Sequence, residues 1–227
     1  MSKLKTPSAP AALGPLILGL RDSKLILAGE MTHWMIRAPT LETGIALAAL
    51  AQVELGHAQM LNAVHANEFS GEGKRAKRVV FGDEITHPAA LPFVPRTKSW
   101  PEMVALMCLW DSALASLLEA LAASSYTPLH NTIGKMCEEE ASHWIFARGA
   151  AADLMARDGR VPEALTEACR ALIPRVQRWF ETIGDLSRLR REGLVPDTVP
   201  MARYASRLGP MLEDMKLAWR APAAAGA

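Results

Sequence analysis

Aromatic residues are scarce in this chain, 6% of 227 residues, although half of the sequence is apolar and rich in Ala, Leu and Met. Sheet cores draw on aromatic and β-branched side chains, so this balance favours helices. An excess of one charge sign is also missing: the net charge of +1 gives no global pull towards nucleic acid or an anionic membrane. Cysteine is limited to Cys108, Cys137 and Cys169. They lack metal-finger spacing and each sits among apolar neighbours in a helical pattern, which points to buried reduced thiols in a cytoplasmic protein. There is no Gly-rich phosphate loop and no flavin, nicotinamide or iron–sulfur motif. Pro10 and Pro15 interrupt the apolar stretch near the N-terminus and Arg21, Asp22 and Lys24 follow it, so it reads as neither a signal peptide nor a membrane span.

What is present is a succession of helical patterns. Residues 1–13 are expected to be a flexible tail, 14–158 a helical bundle, 159–220 a C-terminal helical extension and 221–227 a disordered tail. The first helix should run from about Pro15 to Ile36. The turn Arg37-Ala38-Pro39 ends it, and Thr40 caps a second helix reaching about Asn67, so the two are antiparallel neighbours. Residues 70–99, with glycines, prolines and the basic run Lys74-Arg75-Ala76-Lys77-Arg78, form a long excursion of the kind that is functional or mobile. The basic run reads as a solvated loop, with a contact to ligand phosphates as its functional alternative. A third helix, capped by Ser99 with Pro101 in its first turn, extends to about Ser124, and a fourth follows Ser125-Tyr126-Thr127-Pro128 as far as about Arg157.

The chemistry lies on these helices. Glu54 and His57 share a stripe with Leu47, Leu50, Ala51, Ala58, Leu61 and Val64, and so face the core. The same pattern recurs at Glu140 and His143, among Ile133, Met136, Cys137, Trp144 and Ala147. A buried carboxylate needs a strong partner, and a metal ion is one of the few available. Chance predicts about 0.4 Glu-x-x-His pairs in a chain of this composition, and four occur. Glu30/His33 lies where a helix ends and Glu84/His87 lies in a loop, so both read as local surface contacts. Two inward pairs on two helices mark a dinuclear carboxylate site in an all-α four-helix bundle. Asp111 is the one polar member of the stripe Val104, Met107, Cys108, Leu114, Ala115 and Leu118, and Lys24 is the one polar member of Ile17, Leu20, Leu27, Ala28 and Met31. The methionines read as core filler, and Tyr126 as a turn residue closing the bundle.

The segments Trp34-Met35-Ile36-Arg37-Ala38-Pro39-Thr40-Leu41, Gln52 to His57, Trp100 to Asp111, Ser125-Tyr126-Thr127-Pro128 and Cys137-Glu138-Glu139-Glu140-Ala141-Ser142-His143 resemble the catalytic subunit of bacterial ring-1,2-phenylacetyl-CoA epoxidase, a ferritin-like diiron monooxygenase. The likeness covers about residues 20–150. Carried over by position, it implies metal ligands at Glu54, His57, Asp111, Glu140 and His143, the five that the stripes select independently. The sixth, a glutamate on the first helix, falls on Lys24. Glu30 is too far along that helix to replace it, and Asp22 points elsewhere.

The resemblance implies a ferritin-like diiron or related dinuclear oxygenase, with iron as the expected metal and manganese as an alternative, acting on a small organic substrate for which a CoA thioester is one candidate. Lys24, Glu54 and Asp111 are its candidate catalytic groups. With no electron-carrying motif in the chain, a separate reductase is expected, together with a homo-oligomer or a homologous subunit and no nucleic-acid or membrane partner. A protonated Lys24 beside two dications is unfavourable, so the amine is neutral or one metal is lost. The expectation is unequal occupancy, firm at Asp111, Glu140 and His143 and weak at His57. The alternative is a non-catalytic structural subunit of a multicomponent oxygenase in which Lys24 pairs with Glu54 or Glu140 in place of metal. Iron storage is a third reading, with no cage-forming surface to recommend it.

Overall fold

The computed structural model describes residues 10–69, 76–195 and 200–219. Among them every regular element is helical: α1 (Leu13–Trp34), α2 (Leu41–Phe69), α3 (Trp100–Leu121), α4 (Thr127–Met155), α5 (Val161–Thr182), α6 (Leu186–Arg191) and α7 (Pro200–Asp214), with one 3-10 turn at Leu91–Phe93. The fold is the all-α, ferritin-like bundle that the patterns predict. Residues 1–9, 70–75, 196–199 and 220–227 lie outside the described residues, and with them most of both tails, Lys74, Arg75 and part of the link before α7.

The helix starts follow their local signals. The Thr40 hydroxyl accepts a hydrogen bond from Thr43 N at 3.2 Å, and Ser99 accepts one from Glu102 N, so each satisfies a free donor of a first turn. Thr127 opens α4 with Pro128 in its first turn, where the missing N–H costs nothing. Pro174 lies inside α5 and Pro210 inside α7, so proline did not end these helices as propensity alone would have it.

α1 and α2 form one antiparallel hairpin and α3 and α4 a second, and the two hairpins pack together as the bundle. α5 and α7 lie against α3, and one continuous core runs from Ala12 to Met215. Consequently α3 is enclosed on every side. Its segment is long and apolar enough to cross a bilayer, with mean hydropathy 1.6 over its most apolar 18 residues, yet 94% of that stretch is buried inside the protein. Its apolar residues are thus covered in part by the chain's own C-terminal helices. Within α3, Met107–Asp111 winds as a π-helix ending on Asp111. Such a segment rotates the following turn and is often found at functional sites.

α1 is also buried almost all round. Gly19 allows the close approach this needs: a Cβ there would lie 2.5 Å from Ile183 Cδ1 and 2.9 Å from His87 Nδ1. Two carboxylates of α1 hold the long loop. Asp22 accepts from Thr86 N at 2.7 Å and His87 N at 2.8 Å. Glu30 accepts from Thr97 N at 3.0 Å and Thr97 Oγ1 at 2.6 Å, and pairs with Arg96. Glu30 is therefore a buried loop anchor and not the surface partner of His33 expected from its spacing. The described part of the excursion, 76–99, is tied down further by Phe93, which stacks on Trp110 with ring centroids 3.7 Å apart.

Candidate metal centre

Each helix of the bundle sends a charged or imidazole side chain into its middle. α2 contributes Glu54 and His57, α3 Asp111, α4 Glu140 and His143, and α1 Lys24, all of them at most 4% exposed. Glu54 and His57, three residues apart, lie on one face of α2, as Glu140 and His143 do on α4, so the two pairs confront each other across the hairpins. The structure brings together all six residues selected from the sequence.

Lys24 is at the centre. Its Nζ lies 2.9 Å from Glu54 Oε1, 2.5 Å from Glu140 Oε1 and 3.4 Å from Asp111 Oδ1, so the ammonium faces one oxygen from each of three other helices. Burial alone would push this amine down, but Glu140, Glu54 and Asp111 outweigh it and hold the pKa well above the ordinary lysine value. In the metal-free pocket the three carboxylates thus favour the charged amine, whereas the neutral form considered from the sequence belongs to a pocket that also holds two dications. Burial also opposes ionisation of Asp111, yet Lys24 and His143 hold its carboxyl well below the usual range. Glu54, wholly enclosed, is shifted upward by burial despite Lys24.

The two histidines are used differently. His143 Nδ1 sits 3.0 Å from Glu54 Oε1 and 3.2 Å from Asp111 Oδ2. Burial lowers the pKa of this imidazole, but the two carboxylates more than offset that and raise it to about 11. His57 Nδ1 lies 3.2 Å from Glu140 Oε1, while its Nε2 makes a 2.7 Å hydrogen bond to Glu139 Oε2 on the outer side. Sequence reasoning passed over Glu139. The signal was present in the run Glu138-Glu139-Glu140, because a carboxylate beside an inward one can reach the far nitrogen of a neighbouring histidine and fix its orientation.

Several polar atoms in this pocket are buried without a hydrogen-bond partner: Glu54 Oε2, Glu140 Oε2, His143 Nε2 and His57 Nδ1. Unpaired buried groups are costly and native interiors keep few of them. Glu54, Asp111, Glu140 and His143 can each offer one atom within 4.8 Å of the others, so this set can hold a metal ion. Three carboxylates with an imidazole form a hard donor set suited to iron or manganese. His57 falls outside this set.

The cluster lies beneath the surface. A cleft of about 480 Å³ opens between the loop at Phe93–Ser99 and α5, and another of about 430 Å³ lies beside Trp100 and Ile145; no cluster residue lines either. Two residues outside the centre have structural roles. Tyr126 donates a short hydrogen bond to Glu68 and closes the end of the bundle, and Glu119 pairs with Arg207 of α7. Lys77 and Arg78 are exposed on the loop.

No curated protein matches the chain significantly. A family model described as phenylacetic acid catabolic protein matches residues 3–225, well beyond the 20–150 over which the motifs are recognisable by eye, and so takes in the C-terminal helices that enclose α3. This chain belongs to the phenylacetic acid catabolic protein family.

Proposed function

We propose that the chain is a metal-dependent oxygenase of aromatic-acid catabolism, acting on a small, CoA-linked organic substrate. The observation that carries this reading is the set of unpartnered buried atoms around the pocket, Glu54 Oε2, His57 Nδ1, Glu140 Oε2 and His143 Nε2. A pocket whose only task was to bury an ion pair would gain stability by satisfying them or replacing them with apolar groups. Glu54, Asp111, Glu140 and His143 would hold the ion, iron in the first place and manganese as the alternative. When bound, iron supplies the reduction of dioxygen. The protein's own part is to keep the site enclosed: Leu27, Met31, Leu50, Leu61, Leu114 and Met136 are buried around the same stripes and exclude bulk water. Glu139 holds His57 in one orientation through Nε2, and the Lys24 ammonium is positioned to orient the Glu54 and Glu140 carboxylates.

Such chemistry requires electrons, and the absence of any electron-carrier motif supports a separate reductase as partner. Exposed apolar side chains at Ile36, Leu41, Ile45 and Ile145 support pairing with a second subunit. Lys24 also favours a second reading, a structural subunit of a multicomponent oxygenase, because its ammonium already pairs with all three carboxylates and offsets part of their charge. Elemental analysis of aerobically purified protein, followed by turnover assays with a reductase and aryl- or alkyl-acetyl-CoA thioesters, tests the proposal. Bound metal and an oxygenated product are expected. Protein that takes up no metal at any loading would leave the structural subunit as the remaining reading.

A further inference from the structure

We propose that this pocket is built for one dication and not two, with Lys24 as the permanent second cation. The inference rests on the metal-dependent reading and specifies its stoichiometry. It starts from position. The Nζ of Lys24 contacts Glu54 Oε1, Glu140 Oε1 and Asp111 Oδ1 together, a place between helices that a bridging cation would otherwise take. The oxygens left over are Glu54 Oε2 and Glu140 Oε2, both buried and unpartnered, so donor capacity remains for a further ion on the side of Asp111 and His143.

Charge gives the same answer. The pocket encloses three carboxylates. The ammonium balances one of them and a single dication balances the other two, leaving an enclosed site with no net charge. A second dication would leave two uncompensated positive charges among groups at most 4% exposed, an arrangement that a low-dielectric interior strongly disfavours. Ligand supply agrees. On the side of His57 the first helix presents Lys24 in place of a carboxylate, and His57 itself directs Nε2 to Glu139. Neither neighbour offers the free negative oxygen that a second ion needs.

The test is made on the full-length protein loaded anaerobically with Mn(II) and freed of excess metal. Elemental analysis should give one ion per chain, and the electron paramagnetic resonance spectrum should be that of an isolated Mn(II) ion. Lys24→Glu removes a positive charge and adds a carboxylate, which restores neutrality with two dications. It should bind two ions per chain and show an exchange-coupled spectrum. Two equally tight, coupled ions in the unmodified protein would overturn this inference while leaving metal-dependent function intact. No bound ion in the unmodified protein would overturn both. The spectrum of the unmodified protein decides the matter alone should Lys24→Glu fail to fold.

Discussion

Lys24 and Glu140 meet at 2.5 Å in the middle of the bundle although 116 residues separate them in the chain. The contact joins the first and fourth helices of the bundle through a single ammonium that also faces Glu54 and Asp111. Folding thus brings three carboxylates and one lysine out of water together, and each is tolerable only because the others are present.

In metal-free protein, Lys24→Met should therefore be strongly destabilising. Removing one partner of a buried ion pair costs about 3–5 kcal/mol, because the other charges are left uncompensated. Chemical denaturation in the presence of a chelator measures this directly, and added Mn(II) should recover part of the loss. A variant as stable as the parent in chelator would show that Lys24 does not hold the pocket together.

The two histidines should not be equivalent towards metal. His143→Ala removes a member of the four-residue donor set and should abolish Mn(II) binding in calorimetric titration. His57→Ala and Glu139→Ala remove an orienting chain that reaches the site through Glu140, so affinity should fall only on the order of tenfold. Equal losses from His57→Ala and His143→Ala would place the ion between the histidines instead.

Loop anchoring by Glu30 can be separated from the centre. Glu30→Ala leaves Thr97 N and Thr97 Oγ1 without their acceptor and releases Arg96. Each unpaired donor costs about 1–3 kcal/mol where it stays out of water. Amide hydrogen exchange over residues 94–99 should accelerate while the four-residue donor set keeps its metal affinity.

His87 should give the protein an acid-sensitive component of stability. Burial lowers its pKa from 6.5, against the opposing effect of Asp22. The unfolded chain then binds more protons than the folded one between the two values. The contribution is present above about pH 6.5 and is lost as pH falls through the folded value. Stability measured between about pH 7 and 5 should fall less steeply in His87→Asn than in the parent; an unchanged slope would show that this imidazole titrates alike in both states.

The sequence by itself determined the fold class, both Glu-x-x-His pairs and the anomaly at Lys24. These are local quantities: composition sets helix over sheet, and a spacing of three residues puts Glu54 with His57 and Glu140 with His143 whatever surrounds them. The buried roles of Asp22 and Glu30 were hidden because α1 is enclosed on almost all sides, and periodicity identifies an inward face only when another face meets solvent. α3 presents the same difficulty. All its turns from Met103 to Leu118 are buried, so the direction of Asp111 depends on packing and on the π-helix at Met107–Asp111. Tertiary packing alone placed Lys24 Nζ against three carboxylates, set His57 between Glu140 at Nδ1 and Glu139 at Nε2, and laid the C-terminal helices over α3. Each is a contact between residues distant in the chain, whose energy depends on what else has been excluded from water around them.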